Sequence, residues 1–152
     1  MKLLIAFAIT FITAFFGSKF TMSAIPTWYQ NINKAPFNPP NWVFGPAWTI
    51  LYTLMAIAFY LILSTKTKSK LLNPAITVFI IQLVLNFLWS YIFFTLHLPL
   101  LAFIDIIILW LFILLNIIKF AAINKTASYL LYPYIAWVSF ASILNFYVVI
   151  LN

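Results

Sequence analysis

Five apolar runs dominate the chain, and each is long enough to cross a hydrocarbon core about 30 Å thick. They fall at about residues 3–22, 44–64, 73–95, 98–118 and 127–150. No water pairs with backbone N–H and C=O groups inside a bilayer, so segments of this length must be helices. With 66% hydrophobic and only 6% charged residues, a water-soluble domain of 152 residues could not cover its surface. The expectation is an all-α membrane protein, a bundle of five transmembrane helices. It forms one domain over 1–152, because no polar stretch is long enough to fold by itself. The first run has the basic start of a secretory leader, with Ser23-Ala24 as the place to seek cleavage. Its apolar length, with Lys19 at the edge, predicts a retained helix in which Lys19 snorkels to the interface.

The charges then orient the bundle. Eight lysines stand against one acid, a net charge of +7. In a membrane protein this balance reflects lysines facing anionic lipid headgroups, and it does not call for nucleic acid as a partner. Lys2, Lys66, Lys68, Lys70, Lys119 and Lys125 fall at one end of the bundle; Lys19 and Lys34 fall at the other. The positive-inside rule therefore predicts a multi-pass protein with its N-terminus inside and its C-terminus outside.

One long stretch breaks the apolar pattern: Trp28 to Tyr52. Pro36, Pro39 and Pro40 force an extended or turning loop between the first two helices. Because Pro39-Pro40 has few backbone states to lose, the loop is stiff. With Lys34, these prolines read as a lid over a site within the bilayer. Side chains beneath it share helical faces. Trp48, Tyr52, Met55 and Phe59 align on the second helix, and Gln82, Asn86, Trp89 and Phe93 on the third. Tyr134, Trp137 or Val138, Ala141 and Asn145 align on the fifth.

Conventional catalysis has few residues to work with. There are no cysteines, a single histidine (His97, in a tight turn) and a single acid (Asp105, in the fourth helix). No metal-ligand set or acid/base pair can be assembled from these. Asp105 is expected to hydrogen-bond to a neighbouring helix.

Taken together, Gly17-Ser18-Lys19-Phe20, Trp28-Tyr29, Lys34, Pro39-Pro40-x-Trp42, Pro46-x-Trp48, Leu51-Tyr52, Asn86-x-x-Trp89, Phe93-Phe94, Asp105, Leu131-Tyr132-Pro133-Tyr134, Trp137, Phe140 and Leu144-Asn145 form a specific pattern. The chain resembles the translocator protein / tryptophan-rich sensory protein family (TspO/MBR, peripheral benzodiazepine receptor), in a bacterial-type form. It departs from that pattern at Lys34-Ala35-Pro36-Phe37, where the family has Lys-Pro-x-Trp. It also lacks a basic residue after Tyr147, so the animal members' sterol motif is missing.

The resemblance implies a five-helix fold, often dimeric, with a pocket under the first loop. There it implies binding of porphyrins (protoporphyrin IX, haem) and other hydrophobic aromatic molecules, with sterols in some members. It implies no tightly bound cofactor and no metal. Ligand contacts carried over by family position and side-chain chemistry are Trp28, Trp42, Trp48, Tyr52, Asn86, Trp89, Phe94, Tyr134, Trp137, Ala141 and Asn145. Three functions stay open: a receptor, a light- and oxygen-dependent enzyme that degrades porphyrin, and a transporter. In the enzyme, Trp48 and Trp137 would exchange electrons with the bound dye.

Overall fold

Proline and short polar turns decide where the helices begin and end. The computed structural model describes residues 1–152. Helix α1 (Lys2–Ala24) continues through one wide π turn (Ile25–Tyr29). The sequence reading stops this helix at about residue 22, ahead of Pro26. The wider turn absorbs the missing Pro26 N–H, so the helix runs on to Tyr29.

A 3-10 turn (Asn41–Val43) leads into α2 (Phe44–Ser64), with Pro46 in the first turn where its N–H is not needed. Helix α3 (Ser69–Phe94) starts a turn earlier than the predicted residue 73. Pro74 lies inside it, so early that only one ladder bond is forfeited. Helix α4 spans Pro99–Ala121. The last span is not continuous, as the sequence reading has it. It divides into α5 (Lys125–Tyr129) and α6 (Tyr132–Leu151), because Pro133 cannot donate to the carbonyl one turn back. The Asn124 side chain caps α5 by accepting from the Ala127 N–H at 3.1 Å.

Five helical stretches are therefore long and apolar enough to span a membrane: Lys2–Tyr29, Asn41–Ser64, Ser69–Phe94, Pro99–Ala121 and Lys125–Leu151. Along α4, Leu100, Ile104, Leu111 and Ile118 point outward while Ala102, Ile106, Leu109 and Ile113 point in. An apolar outer face on a packed helix belongs against lipid.

Helix α1 packs on α2 and α3, α3 on α4, and α4 on α6. The backbones of α2 and α6 approach each other only sparsely, and aromatic rings fill the gap between them. At the lysine-bearing end the core is closed by Phe59 stacked on Phe79 at 4.2 Å, with Phe120 against Phe79 at 5.9 Å. The Asn124 amide joins two turns there by donating to the Thr65 hydroxyl at 3.1 Å.

At the other end lies the loop, residues 32–40. It is fastened at several points. Lys34 Nζ donates to the carbonyls of Tyr29 (2.7 Å) and Ile32 (2.9 Å), groups left open by the end of the α1 segment. Its ammonium also lies 4.9 Å from the Tyr29 ring centre, and burial pulls its pKa below the usual lysine value. Tyr29 donates to Asn38 Oδ1 at 3.1 Å. Asn152 grips Asn33 from α6, accepting its N–H at 3.0 Å and donating to its carbonyl at 3.0 Å.

Candidate functional site

Trp48, one turn into α2, stands where two spaces meet. On one side is a closely packed cage under the loop. Its walls come from α1 (Thr21, Tyr29), α2 (Phe44, Trp48), α3 (Trp89, Phe93, Phe94) and α6 (Trp137, Ala141, Leu144, Asn145, Val148). On the other side is a cavity of about 500 Å³ between α1 and α2. Thr21, Phe44 and Trp48 belong to both walls.

The cage is nearly full. Its free volume is about 40 Å³, enough for a water and far below the few hundred Å³ of a ligand pocket. The rings themselves fill it. Trp48 and Trp137 meet edge to face with centroids 6.5 Å apart and planes at 82°. Phe44 meets Trp137 at 6.2 Å, and Trp89 stacks on Phe93 at 5.4 Å. Each such pair adds about 0.5–1.5 kcal/mol beyond burial, so the closed cage is a stable arrangement.

Behind the cage runs a buried polar chain. Tyr52 donates its hydroxyl proton to Asn86 Oδ1. Asn86 Nδ2 donates to the Tyr134 oxygen at 2.8 Å, and Tyr134 donates to Gln82 Oε1 at 2.9 Å. This chain ties α2, α3 and α6 together at membrane depth. Asn145 works similarly, accepting from Trp89 Nε1 at 3.0 Å and donating to the Pro99 carbonyl at 2.9 Å. The amides of Asn86 and Asn145 are thus engaged between helices.

Asp105 does not make the hydrogen bond expected of it: it is buried, and its Oδ2 has no partner. On α3, the buried Gln82 Nε2 is likewise left without a partner.

The indole N–H groups divide into two sets. Trp89 donates to Asn145, and Trp110 donates to the Ser139 hydroxyl at 2.8 Å. Trp28, Trp42, Trp48 and Trp137 donate to nothing in the protein. Trp48 and Trp137 are half-buried, and neither of their N–H groups is among the buried polar atoms left without a partner.

Of the residues singled out in the sequence, Trp48, Trp89, Phe94, Trp137, Ala141 and Asn145 come together in the cage. Trp42 and Tyr52 face the larger cavity instead. Asn86 and Tyr134 sit behind the aromatic wall in the polar chain. Trp28 contributes to neither space: it stacks on His97 at 4.4 Å and 16° and meets Phe93 edge-on. Pro36, Pro39 and Pro40 belong to the loop, whose Ala35 is buried while Pro36 and Pro40 are exposed. Sequence reasoning missed Thr21, Phe44 and the lining from α1, Phe11, Ala14, Phe15 and Gly17. Only the small residue Gly17 signals a close approach there: a Cβ on it would lie 3.4 Å from Ser90 Oγ.

The TspO/MBR family profile matches residues 5–151. The chain belongs to the TspO/MBR family. Similar proteins span very different organisms. The tryptophan-rich protein TspO of Chlorobaculum tepidum is 45% identical over 138 residues, covering 91% of this chain and 87% of that protein. The TspO of Archaeoglobus fulgidus is 42% identical over 152 residues, 100% of this chain and 97% of its own length. The human translocator protein is 31% identical over 135 residues, 87% and 79% of the two chains. As a TspO/MBR member with five spanning helices, the protein is a multi-pass membrane protein.

Proposed function

We propose that this TspO/MBR protein is a membrane receptor for hydrophobic aromatic ligands, with protoporphyrin IX and haem as the best-fitting class. The observation that carries this reading is the position of Trp48. Its ring separates a cavity of about 500 Å³ from the aromatic cage and belongs to the wall of both. The larger cavity has the volume of a small-molecule site, and its indole and phenyl walls suit a flat π system. A ligand reaches Trp48 from the side, between α1 and α2. If Trp48 and Phe44 turn away, the two spaces become one.

The lysine-rich end is assigned to the inner face of the membrane, because six of the eight lysines lie there. Transport is not favoured: transporters rely on repeats or broken helices with ionisable groups at midplane, and Asp105 stands alone. Contact between Trp48 and Trp137 gives the photochemical reading one specific support, since an electron leaving one indole has the other beside it.

Titrating protoporphyrin IX into the protein in nanodiscs, in the dark, tests the receptor. Saturable quenching of indole fluorescence with a micromolar Kd is expected, which needs only about 8 kcal/mol. Absence of saturable quenching refutes the reading. Repeating the experiment under light separates the two functions. In the receptor, wild type and Trp48→Phe bleach porphyrin at the rate of dye in empty discs. In the enzyme, wild type bleaches faster and Trp48→Phe loses that excess while still binding.

A further inference from the structure

Among the hydroxyl groups on the wall of the α1/α2 cavity, one is unlike the rest. Ser18 donates to the Phe15 carbonyl at 2.8 Å, Thr21 to the Gly17 carbonyl at 3.1 Å and Thr49 to the Gly45 carbonyl at 2.9 Å. Each closes on its own helix. Tyr52 donates to Asn86. Ser90, in α3, is buried and makes no hydrogen bond. A helical serine commonly returns its proton to the carbonyl one turn back, as Ser139 and Ser142 do in α6. Ser90 does not, and its Oγ is not sealed in the core, because Ser90 lines the cavity.

Gly17 shows where that hydroxyl points. A Cβ at Gly17 would lie 3.4 Å from Ser90 Oγ, 3.8 Å from Ser90 Cβ and 3.9 Å from the Tyr52 hydroxyl. Oγ is the nearer Ser90 atom, so it is turned toward α1. Because Gly17 has no side chain, the two hydroxyls border a notch between α1, α2 and α3. Ser90 is the single α3 residue on the wall, so the notch is where the cavity ends against α3.

The hydrogen-bonding capacity of the notch is specific. Ser90 offers one proton and two lone pairs. Tyr52 has committed its proton to Asn86 and offers only a lone pair. A ligand hydroxyl satisfies both, accepting from Ser90 and donating to the Tyr52 oxygen. A carbonyl or an ether meets Ser90 alone. A carboxylate would lose its water there with no cation on the wall to meet it.

We propose that Ser90 and Tyr52 form a hydroxyl-recognition notch, which selects, among flat aromatic ligands, those that carry a neutral hydroxyl. The π system lies against Phe15 and Trp48, and the hydroxyl enters the notch beside Gly17. This rests on the receptor reading above and adds a chemical preference that aromatic walls cannot supply.

The test compares pyrenemethanol with methylpyrene in nanodiscs. Both probes are flat and uncharged, and they differ by one hydroxyl. Energy transfer from the indoles to pyrene reports binding. Comparing protein variants with one probe at a time cancels that probe's partition into lipid. Ser90→Ala should weaken pyrenemethanol by about three- to tenfold, the worth of one neutral hydrogen bond, and leave methylpyrene within about twofold of wild type. Ser90 makes no bond that holds the fold, and unchanged methylpyrene binding verifies that the variant is intact. If Ser90→Ala leaves both probes unchanged, the notch is refuted while the receptor stands. Equal weakening of both also refutes it, since the serine then acts through packing. If neither probe binds wild type, the notch is refuted, and the protoporphyrin titration decides the receptor reading by itself.

Discussion

Replacing Asn86 with leucine tests whether the polar chain behind the cage holds α2, α3 and α6 in place. The substitution keeps a side chain of similar size and removes two hydrogen bonds, one from Tyr52 and one to Tyr134 at 2.8 Å. Interhelical bonds in membranes contribute about 0.6 kcal/mol each and at most about 1.7. Two of them give roughly 1–3 kcal/mol. The lower half of that range is expected here. Tyr134 keeps its bond to Gln82 Oε1, and the Tyr52 hydroxyl borders the α1/α2 cavity, where water can replace the lost acceptor. The predicted loss is therefore about 1–2 kcal/mol, with no gain from the added methyl groups, because lipid is as apolar as the core.

Reversible unfolding by titration of a denaturing detergent into mixed micelles, followed by helicity, measures this loss. A double-mutant cycle of Asn86→Leu with Tyr52→Phe isolates the Tyr52–Asn86 bond, for which a coupling of about 0.6–1.7 kcal/mol is expected. A coupling indistinguishable from zero, with both single variants destabilised, would show that the residues act independently. The chain would then not be a structural unit.

Two other positions give sharp expectations. His97 has φ of 56°, a left-handed conformation unfavourable for most side chains by about 1–2 kcal/mol, yet it stacks on Trp28. His97→Gly should leave thermal stability nearly unchanged, as backbone relief offsets the lost stacking, whereas His97→Val should lower it clearly; equal effects would refute the trade. Asn152→Ala removes the two side-chain bonds that grip Asn33. Amide exchange across residues 32–40 should accelerate by roughly five- to tenfold, corresponding to about 1 kcal/mol of partly exposed bonding. Unchanged exchange would mean that the loop is held from elsewhere.

Helix number and inward faces were legible because each rests on a local rule. Apolar length gives the spans, and the spacing of Tyr52, Met55 and Phe59, or of Gln82, Asn86, Trp89 and Phe93, gives faces that are indeed buried. Helix ends were less legible where proline has two outcomes. Pro26 is carried by a π turn, and Pro133 breaks its helix. The state of the cage was not legible at all. Whether Trp48 and Trp137 flank a slot or touch depends on the distance between α2 and α6. That distance is set by rings from three helices, not by the spacing of residues on one.

Stiffness made the proline loop look like the moving part, and the hydrogen bonds argue against that. To lift the loop, the protein must release Tyr29 from Asn38, Lys34 from two carbonyls and Asn33 from Asn152. At about 0.5–1.5 kcal/mol each, these bonds together oppose opening by several kcal/mol. Between α1 and α2 the situation is reversed. The side-chain bonds of α1 from Thr10 to Ser23 all close on α1 itself, so no hydrogen bond holds it to α2 beside the cavity. There Trp48 is held by ring contacts to Tyr52, Tyr134 and Trp137, and a rotamer change can exchange these for contacts with a ligand of the same kind. On the receptor reading, entry beside Trp48 breaks ring contacts and no hydrogen bond, whereas entry under the loop must break several hydrogen bonds.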